Sequence, residues 1–139
     1  MSNTVGVGLI GSQFISTIHA KSLQQCPRAK MLAVCSPTPG NAERFAEQFD
    51  IPHHFTDHRR MLEMDELDMV VIGAPNHVHC ELTCAAAEAG KHVVLEKPMC
   101  LNLAHDAEHE HGCNYCLDLL DHFLLLRLLP QLYVASVVC

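Results

Sequence analysis

Residues 6–16 read GVGLIGSQFIS, in which Gly6, Gly8 and Gly11 satisfy the G-x-G-x-x-G spacing of a phosphate-binding turn. That chemistry needs backbone N–H groups converging on an anion at a helix start, with no Cβ in the way. A second set of reactive side chains lies downstream. His105, His109, His111, Cys113 and Cys116 spell H-x3-H-x-H-x-C-x2-C, ligand types suited to zinc. His105 and His109 are one helical turn apart, so both can face one ion. Their spacing to the cysteines matches no familiar zinc module. A polar helix end with incidental cysteines accounts for them, and no metal is expected; a metal-binding module is kept as an alternative that chelator-sensitive folding would reveal.

Such groups work only if the surrounding elements place them. TVGVGLI (4–10) is an apolar run bounded by Gly11 and Ser12, the pattern of a buried strand. FISTIHAKSLQQC (14–26) sets Phe14, Ile18 and Leu23 near helical spacing, with Pro27 just after. KMLAVCS (30–36) is a second strand broken by Pro37 and Pro39, and NAERFAEQF (41–49) carries helix formers. DHRRMLEM (57–64) predicts a short helix with Asp57 as its N-cap. DMVVIGAP (68–75) is a strand, HCELTCAAAEAG (79–90) a helix closed by Gly90, and KHVVLEKP (91–98) a strand stopped by Pro98. Buried strands alternating with helices predict an α/β fold with a doubly wound parallel sheet. Ligands on such sheets bind at the carboxyl ends of the strands. Those ends are Gly11 to Ser16, Cys35 to Thr38, Gly73 to His79 and Glu96 to Pro98.

This placement shifts the glycine match out of register. A dinucleotide loop follows its strand and opens the helix, whereas Gly6 and Gly8 fall inside the strand. The working loop is Gly11-Ser12-Gln13-Phe14-Ile15-Ser16, with only its first glycine kept. Gln13 brings a Cβ and a long side chain to the place where backbone approaches a pyrophosphate. Ser16 is small where helix and strand pack. The second strand ends Cys35-Ser36-Pro37-Thr38, without the carboxylate that grips the adenosine ribose of NAD. Ser36 and Thr38 can donate to a 2′-phosphate with no negative charge to repel it, which leans towards NADP over NAD. No arginine stands there to confirm it.

Composition narrows the partners. The chain has 139 residues, room for one domain, and a formal charge of −7 without a basic cluster, which argues against nucleic acid. The N-terminus MSNTVGVGLIG lacks the parts of a signal peptide. Reduced thiols are then the default for the eight cysteines, and a cytoplasmic location is expected. The apolar stretch from Leu117 to Cys139 contains Asp118, Asp121, His122 and Arg127, so no membrane partner is expected.

VVIGAPNHVHCELTCAAAEAGKHVVLEKP, residues 70–98, resembles the glucose–fructose oxidoreductase/inositol dehydrogenase (Gfo/Idh/MocA) family. The likeness lies in Pro75-Asn76-His77-Val78-His79, in Ala86 to Val93 and in Glu96-Lys97-Pro98. The start, with His19 and Ala20, is similar too, and the resemblance covers residues 4 to 107. It implies a Rossmann-like NAD(P)-binding domain of an oxidoreductase acting on a sugar, polyol or similar hydroxyl compound. By position, Lys97 is the implied catalytic residue, its ammonium steadying the reacting oxygen beside the nicotinamide. Glu96 would contact the nicotinamide ribose or orient Lys97. The Pro75-Asn76-His77 loop would line the cofactor cleft, although His77 and His79 also read as helix-start surface residues. His19 reads as a packing histidine.

Family members continue into a sheet-rich substrate domain, and from about Glu108 this sequence stops resembling them. The expected organisation is an NAD(P)-binding domain over 1–107 and an atypical apolar tail over 108–139. A frameshift or early stop is the favoured origin of that tail; a helix from Leu117 to Leu129 against the sheet is the alternative. The domain is then truncated and incomplete for catalysis, with a hydroxyl-bearing substrate only where a substrate domain is present. A non-catalytic nucleotide-binding remnant, self-associating through exposed apolar surface, is the other reading.

Overall fold

The computed structural model describes residues 4–96. Among the described residues five strands form one parallel sheet: β1 (Val5–Ile10), β2 (Ala29–Cys35), β3 (His53–Phe55), β4 (Met69–Ile72) and β5 (His92–Leu95). The strand order is β3-β2-β1-β4-β5, so the chain runs outward from β1 in one direction and then in the other. The crevice where the order reverses lies at the carboxyl ends of β1 and β4, the usual ligand position in such sheets.

Alternation along β1 divides the core between the two faces. Val7 and Leu9 join Ala20 and Leu23 of α1 (Phe14–Gln24), Phe45 and Phe49 of α2 (Asn41–Phe49), and Val71. Ile10 points the other way, into a cluster with Met61 and Leu62 of α3 (His58–Leu62), Val70, Ile72, and Leu82 and Ala86 of α4 (His79–Glu88). Both faces of the sheet are therefore covered, and the doubly wound α/β fold expected from the sequence is the one observed. Each large aliphatic side chain buried in this way contributes roughly 1.5–3 kcal/mol.

Helix ends follow local chemistry. Asp57 caps α3, its Oδ1 accepting from the Arg59 N–H at 2.9 Å. Past α4, Gly90 takes φ +71°. Its N–H donates to the Ala87 carbonyl and that of Lys91 to Ala86, both at 2.9 Å, a Schellman closure. β3 is the element that sequence reading missed. It has three residues, of which His53 and His54 are exposed, too short and polar to show a strand period. It forms because β2 offers a free edge, with Ala33, Val34 and Cys35 opposite His53, His54 and Phe55.

Candidate dinucleotide site

Three backbone bonds extend the sheet one residue past its strands. The Gly11 N–H donates to the Cys35 carbonyl at 2.8 Å, Gly73 to Ile10 at 2.8 Å, and Glu96 to Ile72 at 3.2 Å. They fix the points at which the loops depart. Gly6 and Gly8 lie within β1, so the out-of-register reading of the glycine spacing agrees with the fold.

Gly11 turns the chain with φ +116°, a conformation that side-chain-bearing residues rarely adopt. A Cβ there would sit 2.6 Å from the Gly73 carbonyl oxygen and 2.9 Å from Ser16 Oγ. A Cβ on Gly73 would meet Ile15 Cγ2 and Ser16 Oγ, each at 2.9 Å. Gly11, Gly73 and Ser16 thus interlock, drawing the amino end of α1 onto the crevice. Ser16, only 1% exposed, fills the place where the general dinucleotide fingerprint has glycine or alanine. Gly73 was missed as a packing residue; its signal is a glycine directly after an apolar strand.

Gln13 is the N-cap of α1, in extended backbone that any residue adopts, and its exposed side chain makes no capping bond. The first turn of α1 therefore presents N–H groups without a side-chain acceptor from its own cap. Beside it, Ser12 Oγ and Ser16 Oγ are buried without a hydrogen-bond partner among the described residues. Buried hydroxyls are ordinarily satisfied. A helix start with open donors, a loop stripped of Cβ at Gly11 and two orphaned hydroxyls make a set that fits a dinucleotide pyrophosphate. Phe14 and Ile15 complete the loop, Phe14 exposed and Ile15 half-buried.

At the end of β2, Ser36 is 5% exposed and its N–H donates to Phe55 at 3.0 Å. Exposed polar groups follow in Thr38 and, in the first turn of α2, Glu43 and Arg44, the Arg44 guanidinium donating to Asn41 Oδ1. Arg44 comes eight residues after Ser36, in α2 and not at the strand end itself. The stretch is not free of negative charge either. The Cys35 thiol is pushed up to about 11 from 9.0, chiefly by burial and secondly by the Asp57 carboxylate. The folded thiol thus holds its proton more tightly than the unfolded one. Its contribution to stability is complete below about pH 9 and lost as pH rises towards about 11. Melting temperature should fall across that window in the wild type, and more shallowly in Cys35→Ala.

After β4, Pro75 leads into a 3-10 turn, Asn76–Val78, that leaves Asn76 and His77 exposed. His79 is not a surface residue. It is wholly buried, and its Nε2–H donates to the Ala74 carbonyl at 2.8 Å, shaping this loop from below. Glu96 closes the row. Its Oε1 lies 2.6 Å from Nε2 of His19 on α1, so the histidine read as packing has a carboxylate partner. Lys97, Pro98 and the tail cluster His105, His109, His111, Cys113 and Cys116 lie outside the described residues, as does the tail over 108–139. Among the described residues no helix is long and apolar enough to cross a membrane.

The family profile described as "Oxidoreductase family, NAD-binding Rossmann fold" (Gfo/Idh/MocA) matches residues 5–113, most of the chain. The chain belongs to this family. Among Gfo/Idh/MocA relatives, levoglucosan dehydrogenase of Pseudarthrobacter phenanthrenivorans is 33% identical over 103 residues, covering 68% of this chain and 26% of that protein. Myo-inositol 2-dehydrogenase of Thermotoga maritima is 33% identical over 98 residues, 70% of this chain and 29% of the relative. The structure of scyllo-inositol dehydrogenase from Lactobacillus casei with bound NAD(H) and scyllo-inositol superposes with a TM-score of 0.74 at 27% identity. That likeness covers 83% of this chain and 33% of the other. The chain therefore spans about a third of the length of the Gfo/Idh/MocA proteins it matches, and what it carries is their NAD-binding Rossmann domain.

Proposed function

We propose that this chain holds NAD or NADP with the pyrophosphate at the amino end of α1, serving an oxidoreductase of sugars, polyols or related hydroxyl compounds. The observation that carries this reading is the Gly11–Gly73–Ser16 interlock beside the unpartnered hydroxyls of Ser12 and Ser16. The named substrates of relatives, levoglucosan and inositol, support the substrate class. Gly11 turns the chain so that backbone donors from Ser12 to Ile15 hold the phosphates, while Asn76 and His77, on the loop after Pro75, border the nicotinamide half. A bound nicotinamide supplies the C4 position for hydride exchange. Lys97, next in sequence to Glu96, would polarise the reacting oxygen.

The coenzyme lean is towards NADP. Thr38 and Arg44 would supply the donors for a 2′-phosphate, opposed by the carboxylates of Glu43, beside Arg44 in α2, and Asp57. We place the protein in the cytoplasm, where its cysteines would stay reduced.

Titrating the purified chain with NADH and with NADPH, followed by nicotinamide fluorescence, tests both statements. Saturable binding is expected, tightened several-fold by Gln13→Gly, since removing the side chain opens the approach to the loop. Arg44→Ala should weaken NADPH by about tenfold, the worth of one charge-assisted contact, and leave NADH unchanged. A folded chain that binds neither coenzyme would contradict the reading.

A further inference from the structure

We infer that His19 is a positioning residue: it holds the Glu96 carboxylate, and with it the strand end that leads into Lys97, against the helix whose amino end takes the pyrophosphate. The inference rests on the dinucleotide reading above and adds to it a connection between the two halves of the cofactor site.

The pair joins residues 77 positions apart at 2.6 Å. The Nε2–H of His19 donates and the carboxylate accepts. The side chains are 8% and 19% exposed, so this contact is shielded as a surface ion pair is not, and the short distance marks it as charge-assisted. Packing alone does not call for it. Two apolar side chains of similar volume would fill the space without the cost of desolvating a carboxylate. What sets the location apart is its neighbours. Glu96 stands immediately past β5, its N–H pinned to Ile72, and the next residue is Lys97. His19 sits in α1 one turn beyond Ser16, the residue interlocked with Gly11 and Gly73. One side chain thereby connects the phosphate-holding helix to the end of an edge strand.

The test compares two probes on the full chain. ADP-ribose carries the adenosine and pyrophosphate but no nicotinamide; NADH carries all three. His19→Leu should leave ADP-ribose affinity within about twofold. It should weaken NADH by about tenfold, the size of a typical coupling between a positioning contact and a ligand, and reduce the nicotinamide fluorescence of the complex. His19→Gln, which keeps an N–H donor, should recover part of both. Should His19→Leu fail to fold, Glu96→Ala carries the same comparison, since it removes the half-buried partner at a strand end. Equal weakening of both probes with a drop in melting temperature would mean a merely structural pair and would overturn the inference, as would unchanged NADH binding. A wild-type chain that binds neither probe would show instead that the dinucleotide reading has failed, and the inference would fall with it.

Discussion

Gly11→Ala is expected to weaken dinucleotide binding by at least about 100-fold, near the limit at which a titration still detects it. The cause is twofold. At φ +116° an alanine is strained whatever the space around it, a cost on the order of 1–3 kcal/mol. The space is also absent, because the new Cβ would lie 2.6 Å from the Gly73 carbonyl oxygen and 2.9 Å from Ser16 Oγ. Relief requires moving either the end of β4 or the first turn of α1, and both form the proposed phosphate cradle. Urea unfolding should show a loss of about 2–4 kcal/mol, strain and overpacking together. Binding retained at wild-type strength would mean that the anion is held somewhere other than this turn.

Gly6→Ala should be at least as damaging to stability and nearly silent in binding. A Cβ at Gly6 would fall 2.0 Å from the Glu66 carbonyl oxygen and 2.7 Å from Leu32 Cδ1. Backbone cannot give way there as a side-chain tip can. Gly6 is also clamped to the approach of β4, its N–H donating to Asp68 Oδ2 at 2.7 Å and its carbonyl accepting from the Asp68 N–H at 2.9 Å. The expected loss is about 3 kcal/mol or more, from overpacking against a fixed chain. The fraction that stays folded should keep its NADH affinity within about twofold, because Gly6 lies at the far end of β1 from the loop. Gly8→Ala should be milder, since its contacts are the side-chain ends of Leu67 at 3.0 Å and Met61 at 3.2 Å. The contrast between positions 6 and 11 separates a glycine that packs a strand from one that opens a binding turn.

That separation was legible before any coordinates, for a physical reason. Parallel strands buried on both faces read as continuous apolar runs, so β1, β2, β4 and β5 and the loops at their ends announce themselves. β3 does not, because His53 and His54 carry no such pattern and the strand owes its existence to the edge of β2. The turn between β1 and α1 was located by asking where the helix must begin. Gly73 was not singled out, since its role depends on Ile15 and Ser16 arriving from another element. The same holds for His79, whose partner Ala74 is near in sequence but whose burial is decided by packing. The pairing of His19 with Glu96 is the extreme case: two polar residues in separate motifs, brought together by the fold alone.

The central claim is that the amino end of α1 and the loop before it hold the dinucleotide. Backbone amide NMR of the 15N-labelled chain, titrated with NAD, tests it residue by residue. The predicted result is saturable shifts concentrated on the amides of Gly11 to Ser16 and Gly73, with smaller ones at Asn76 and His77. Saturation with those amides unmoved, or shifts clustered elsewhere on a folded chain, would contradict the account.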